Sequence, residues 1–489
     1  MKIKNLLIAF VCGAFLFASC GDEDPCENIV CGEGETATVV GETCQCLQSG
    51  TVDPCEGFTC PEGFVPIASG EECECSDDPN AIGDISVTGL LIGNVEWTKN
   101  NIYNMNGKVV VSEGATLNIE AGTVIKSAEG TGSLATALIV ARGGKLNANG
   151  TAAEPIIFTS AADKIMPGSI TSPNLDETFN ALWGGVIILG NAPISAGTGD
   201  TEAQIEGIPA DDTFGRYGGD DVSDNSGSIK YISVRHGGTL IGENNEINGI
   251  TLGGVGNGTV IENIEVVANL DDGVEWFGGT VNVKNVIVAN GEDDGLDIDQ
   301  NYSGTINNAV VIQSGATAGD NAIEIDGPEG STYTDGSFTI VNLTLIDEDG
   351  MSDTAGDLKS KSQGTITNAS WRGFTDNLKI RHSCEDDCAT EKTDTYTNFI
   401  DGKISITASE WVGTASLSDW TTVYGDNDCP DGVDEDDKKD PCAISDAQQA
   451  AITDLLSAGG NKITDSATTG ADMTAFEGWS WCSANGKLN

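Results

Sequence analysis

Three segments place an Asp-Asp or Asp-Asn turn ahead of an alternating run: Asp271-Asp272-Gly273-Val274-Glu275-Trp276, Asp293-Asp294-Gly295-Leu296-Asp297-Ile298-Asp299 and Asp320-Asn321-Ala322-Ile323-Glu324-Ile325-Asp326. Two later segments, Asp357-Leu358-Lys359-Ser360-Lys361 and Asp376-Asn377-Leu378-Lys379-Ile380-Arg381, carry bases where the earlier ones carry acids. Side chains alternate along a strand, so Val274, Leu296, Ile323, Leu358 and Leu378 are expected inside. Glu275, Asp297, Glu324, Lys359 and Lys379 then form one outward column, and Asp299, Asp326, Lys361 and Arg381 a second. Rungs of a sheet lie ~4.8 Å apart, so stacked carboxylates repel unless a cation, a raised pKa or adjacent bases relieve them.

Three chemistries fit that face. The first is a solvated, self-compensating charge ladder over turns in which Asp and Asn accept local hydrogen bonds. The second is calcium binding by Asp271, Asp272, Asp293, Asp294 and Asp320, because a hard cation takes several oxygen ligands and consecutive turns supply them. The third is glycan cleavage, with an acid and a base drawn from Asp271, Asp293 and Asp294. Arg235-His236 is the remaining catalytic candidate, set against a packed turn pair. Five Arg and two His in 489 residues leave little material for a Ser-His-Asp triad or a His-rich metal site.

The elements that position these residues follow from a repeat. Gly, then Ser or Thr, then an apolar residue recurs at Gly227, Gly258, Gly279, Gly304, Gly336 and Gly364, each time opening a short alternating run. Recurrence at this length with almost no helical periodicity means stacked coils of strand and turn. The fold class expected is all-β, a right-handed parallel β-helix, over residues 81–383. Function is then expected on its outer faces.

Lys2 and Lys4 precede an apolar run over residues 6–17 that is too short to remain as a membrane span. The following Phe17-Ala18-Ser19-Cys20 resembles a bacterial lipobox, which implies a signal peptide over residues 1–19 and lipidation of Cys20. Gly21-Asp22-Glu23-Asp24 resembles the acidic export tag of Bacteroidota surface lipoproteins, which implies an outer-membrane, surface-exposed location. A net charge of −53 from 76 acids and 23 bases repels phosphate backbones, which excludes nucleic acid as a partner and favours cations.

Between anchor and solenoid, residues 20–80 contain a duplication. Cys26, Cys31, Cys44 and Cys46 recur 29 residues later as Cys55, Cys60, Cys73 and Cys75. Units this small need staples, so disulfides closed within each unit are expected, forming a stiff stalk. The spacing resembles half of an epidermal-growth-factor-like or follistatin-type module.

The solenoid itself carries a resemblance. Gly107-Lys108-Val109-Val110-Val111, Ala115-Thr116-Leu117-Asn118-Ile119 and Gly122-Thr123-Val124-Ile125 resemble the opening turns of the pectate-lyase-like superfamily. Residues 94–380 resemble Bacteroidota surface lipoproteins that share Ile205-Glu206-Gly207-Ile208-Pro209, Arg235-His236-Gly237-Gly238 and Gly278-Gly279-Thr280-Val281-Asn282. This implies the fold more than a function, because the superfamily holds lyases, hydrolases, adhesins and scaffolds. Polygalacturonases place a Gly-His-Gly after their acids and close the site with Arg-x-Lys; here His236 precedes the acids and the basic strand reads Lys379-Ile380-Arg381-His382.

Residues 384–489 are expected to form an acidic, cysteine-containing cap with one short helix. Asp426, Asp428, Asp431, Asp434 and Asp436 alternate around a Gly and resemble the calcium loops of thrombospondin type 3 repeats. Ser445 is expected to cap a helix through Ala447, Ala451, Leu455 and Leu456 that ends at Gly459-Gly460 and plugs the open end of the solenoid. The function expected is a surface lipoprotein whose β-helix binds an extracellular glycan or a partner outer-membrane protein, with calcium as the cofactor. The alternative is a polysaccharide lyase or glycoside hydrolase.

Overall fold

The computed structural model describes residues 35–488 apart from 41–42, 49–53, 56, 62–63, 71, 77, 79–80, 210–211, 242–245, 315–318, 351–353, 376–377, 385–390, 414–415 and 426–443. Cys20, Cys26, Cys31 and the acidic loop with Asp426, Asp428, Asp431, Asp434 and Asp436 lie outside the described residues. Among the described residues, no helix is long and apolar enough to cross a membrane.

The chain winds as the expected parallel β-helix. In its regular part each coil uses one long bent strand and one short strand, as in Val260–Asn269 followed by Val274–Phe277. The long strands repeat as Asn282–Gly291, Thr305–Gln313, Phe338–Asp347 and Gly364–Arg372, each paired in parallel with the next. Each bends at an Asn: Asn263, Asn285, Asn308, Asn342 and Asn368 all hold φ between 57 and 69°. Asn tolerates this left-handed region, and its amide joins the coils. Asn285 Nδ2 donates to Asn263 Oδ1 and Asn308 Nδ2 to Asn285 Oδ1, both at 2.8 Å. The bend divides each long strand into a leading and a trailing limb. The short strands stack separately as a third sheet, here called the charged sheet: Ile250–Gly253, Val274–Phe277, Leu296–Asp299, Ile323–Ile325, Gly356–Leu358, Leu378–His382 and Thr421–Gly425.

Of the six Gly-(Ser/Thr)-apolar phrases, those at Gly227, Gly304 and Gly364 occupy the same register, with Ile229, Ile306 and Ile366 stacked through Ile261, Val283 and Ile340. The other three fall one or two residues earlier, within the turns. Inward residues from all three sheets form one continuous core that includes Val266, Trp276, Val288, Ile298, Leu345 and Leu358.

Both ends are closed. Hairpins Glu35–Val40/Thr43–Gln48 and Val65–Ser69/Glu72–Ser76 reproduce the 29-residue duplication. In the second unit Cys55 pairs with Cys73 and Cys60 with Cys75, so its bridges are internal as expected. Its Ser69 pairs in parallel with Asp84 of the first coil, covering an edge that would otherwise be open.

The parallel ladder continues past residue 383, through Ile404–Thr407, Glu410–Val412, Thr421–Gly425 and Lys462–Thr464. The boundary expected there therefore falls inside the solenoid. Among the described residues three helices, not one, interrupt or follow it: Thr395–Ile400, Asp446–Ala458 and Trp481–Ala484. Ser445 caps the second with a reciprocal bond to Gln448, and Gly459 follows its last residue. That helix does plug the core, but through Ile452 and Leu456, while Leu455 stays exposed.

The last segment, residues 465–488, turns back along the outer surface of the trailing limbs. Outward residues there are apolar, Val267, Ile287, Val310 and Ile346, and Phe476, Trp479, Trp481 and Cys482 cover them. Among the described residues Cys482 is a free, buried thiol.

Candidate functional site

The acidic pairs build the corner between trailing limb and charged sheet. Asp272 Oδ1 accepts the Asp294 N–H at 3.0 Å, and Asp294 Oδ1 accepts the Asn321 N–H and Nδ2, both at 2.8 Å. Thr354 Oγ1 then donates to Asn321 Oδ1 at 2.6 Å. Each corner is thereby stitched to the next coil, a role that Asn and Thr fill as well as Asp.

The strand acids stand one step further on. Val274, Leu296, Ile323, Leu358 and Leu378 point into the core as expected, and Glu275, Asp297 and Glu324 stack in one outward column. The later rungs differ from expectation. Glu324 pairs with Asp357, and Asp357 with Lys379, so Asp357 takes the place expected for Lys359 in that column. Lys359 follows Asp299 and Asp326 in the second column and precedes Arg381, while Lys361 lies in the turn beyond. The slip is two residues, which leaves the inside–outside alternation intact and is invisible to pattern matching.

The insertion between Leu189 and Gly227 shapes the site. Its Ile194, Ile205, Ile208 and Tyr217 pack on outward Leu90, Val110, Ile139 and Ile187 of the early coils. Tyr217 Oη donates to Gln300 Oε1 at 3.1 Å and the Ser195 N–H to the Gln300 carbonyl at 3.0 Å, so the insertion walls one side of the acidic row. Asp272, Glu275, Asp294 and Asp297 are only 4–8% exposed.

Burial and mutual repulsion push these carboxyls up. Asp272, Glu275, Asp294, Asp297 and Asp299 all lie well above the usual carboxylate range, first because burial disfavours the charge and then because other carboxylates face them. For Asp297 those neighbours are Asp272, Asp299, Glu275 and Glu324. Asp271 is pushed up to about 7 by burial and by Glu206 and Asp293. At the far end, burial works against the Lys359 ammonium, but Asp326 and Glu324 outweigh it and hold its pKa above the ordinary lysine value. Lys359 Nζ lies 2.7 Å from Glu324 and 3.5 Å from Asp326, and Arg381 pairs with Asp357.

Among the described residues, five triads have carboxylate oxygens mutually within 4.8 Å. Asp271/Asp272/Asp293 and Asp293/Asp294/Asp320 unite the residues expected to bind calcium. The other three share Asp297: with Asp272 and Glu275, with Asp294 and Glu324, and with Asp299 and Asp326. Asp297 Oδ1 is buried with no hydrogen-bond partner. The sequence placed these strand acids on a solvent-facing ladder, because nothing local announces that a distant insertion buries them.

Arg235 and His236 are fully buried, one coil before the row. Arg235 Nε donates to Ser233 Oγ at 2.7 Å and its Nη2 lies 3.8 Å from Glu265. His236 holds a left-handed φ of 63° at the corner that Ala268 and Asn290 occupy in the next coils. Burial, then the Arg235 charge, depress its pKa to about 4, so its neutral ring donates from Nδ1 to the Phe179 carbonyl at 2.6 Å. Both side chains are buried and engaged in packing and corner formation.

Residues 89–428 match a family model described as a pectate-lyase-like β-helix domain. No curated protein and no solved structure matches the chain.

Proposed function

The chain belongs to the pectate-lyase-like β-helix domain family, and from that premise we propose that it is an extracellular glycan-binding protein whose charged sheet holds divalent cations, calcium first among them. The observation that carries this reading is the buried row of Asp272, Glu275, Asp294 and Asp297, with Asp297 Oδ1 lacking any partner. Buried carboxylates must be protonated, paired or metal-bound. Lys359 answers only the Glu324–Asp326 end of the row. Several hard oxygens at mutual distances within 4.8 Å suit calcium, which takes six to eight of them. A lipid anchor at Cys20 would present this face outside the cell. A protein partner in the outer membrane is the other ligand class compatible with an exposed charged sheet.

One observation favours a second reading, glycan cleavage. Asp271, held near 7 beside Asp293, has the protonation behaviour of a general acid. Release of shortened products from a bound glycan, abolished by Asp271→Asn, would establish it.

The cation reading is tested by melting. At neutral pH, calcium at about a hundredfold excess over Kd should stabilise the protein by about 2.7 kcal/mol, and chelation should reverse this. Asp294→Asn with Asp297→Asn should remove most of the response. The loop at Asp431 and Asp434 is a second proposed calcium site, so the measurement is repeated with both changed to Asn. Indifference to calcium, or a response that survives in the Asp294/Asp297 variant and vanishes in the loop variant, would overturn cation binding on the charged sheet.

A further inference from the structure

The three sheets are covered unequally. The final segment lies over the trailing limbs, and the insertion walls one side of the charged sheet. The leading limbs, preceded in the same sheet by Thr116–Ile119 and Lys145–Asn149, keep Val260, Asn282, Lys284, Asn307 and Thr365 exposed.

Register places two outward columns on that sheet. The first runs from Asn118 to Ser405 and, apart from Val260, holds only Asn, Ser and Thr. The second runs from Asn149 to Thr407 and carries charge on three successive rungs, Lys230, Glu262 and Lys284. One acid against two bases inverts the balance of the chain, which has 76 acids and 23 bases. The charged sheet, by contrast, stacks Glu275, Asp297, Glu324 and Asp357 in a single column. A depression of about 420 Å³ around Val260, Glu262, Asn282 and Lys284 marks the middle of the leading-limb face.

That charge pattern is self-complementary. A two-fold axis running along the strands, between the rungs of Glu262 and Lys284, turns a second copy end for end and lays each column on its own counterpart. Glu262 of either copy then faces Lys284 of the other, Lys230 faces Asn307, Val260 faces Asn282, and every rung from Asn118 to Thr365 finds a partner. Lys230 holds Glu262 at 3.1 Å within one chain, whereas Lys284 makes no ion pair among the described residues and is available to the other copy's Glu262. Over the molecule as a whole a net charge of −53 repels a second copy; on this face, in this arrangement, no like charges meet.

We propose that the leading-limb face is the surface through which two copies of this chain associate, antiparallel and face to face. The contact is about 40 Å long and about 12 Å wide, which buries about 1,000 Å² over both copies. That is the size of a weak, reversible association, with a Kd expected in the micromolar range. The charged sheet of each copy lies outside the contact, so the pair presents two of them at once.

The test is sedimentation of the full chain in a non-ionic detergent at physiological ionic strength, from about 1 to about 100 μM, a range that brackets this Kd. Wild type should pass from monomer to dimer. Lys284→Glu sets acid against acid at both symmetric positions and should weaken the dimer by about tenfold or more; adding Glu262→Lys to it should restore most of the affinity. Ser228→Cys combined with Thr305→Cys gives a readout independent of charge. Within one chain the rungs of Val260 and Asn282 separate these positions by roughly 14 Å, too far for a disulfide, whereas across the two-fold they face each other. Oxidation should therefore join two chains through the double variant and through neither single one. A wild type that stays monomeric overturns the proposal. So does a dimer that Lys284→Glu leaves intact or that the cysteine pair fails to link, because such a dimer is built on another face.

Discussion

Glu265→Ala should destabilise the protein by about 3–5 kcal/mol, the cost of leaving one member of a buried ion pair uncompensated. Glu265 is fully buried on the outer surface of a trailing limb. It accepts the Ser233 hydroxyl at 2.6 Å, and the N–H groups of Trp481 and Cys482, both at 2.9 Å, with Arg235 3.8 Å away. Removing it strands a guanidinium and two backbone donors at once, and the donors belong to the segment that covers the apolar strip of Val267, Ile287, Val310 and Ile346. Two measurements check this. Urea unfolding should show the loss, and Cys482, fully buried in the wild type, should become reactive to alkylation as residues 465–488 lift away. Glu265→Gln, which keeps the shape and two acceptor lone pairs, should lose less. Stability within about 1 kcal/mol of wild type, with Cys482 still protected, would show that the carboxylate does not latch the segment.

The second large effect is a stability that falls as pH rises when calcium is absent. A carboxyl whose folded pKa is raised stays protonated in the folded state while its unfolded counterpart ionises near about 4. Folding then binds protons, and stability is lost progressively from about pH 4 up through the folded value. Asp271, near 7, contributes a loss of up to about 4 kcal/mol over that window. Asp272, Glu275, Asp294, Asp297 and Asp299 act in the same direction, because burial and facing carboxylates push them well above the usual carboxylate range. Self-repulsion of a chain of charge −53 acts in the same direction, so the informative quantity is a difference. Between about pH 5 and about pH 8 the wild type should lose more stability than Asp271→Asn with Asp294→Asn, and calcium should flatten the wild-type curve. Parallel curves for the two proteins without calcium would mean that the row carries no unusual protonation.

The sequence by itself determined the solenoid, its inside–outside alternation, the internal bridging of the Cys55–Cys75 unit and the Ser445-capped helix. Each is a local property, written in spacing: a period of two places Val274, Leu296 and Ile323 in the core, and a 29-residue offset repeats a hairpin. The outward alternation of Glu275, Asp297 and Glu324 was likewise legible in the strands that follow the acidic turns. The tertiary structure alone decided the register at Asp357 and Lys359, because a two-residue slip conserves alternation and only pairing with the neighbouring coil resolves it. It also decided which carboxylates are buried, since the covering insertion at residues 190–226 precedes the row and leaves no trace in the strands it walls. Arg235 and His236 looked chemical because rare residues draw attention; their corner and the Arg235 partner Glu265 exist only once coils stack. The latch on the final segment joins Glu265 to Trp481 across 216 residues, a contact set by the closure of the whole chain.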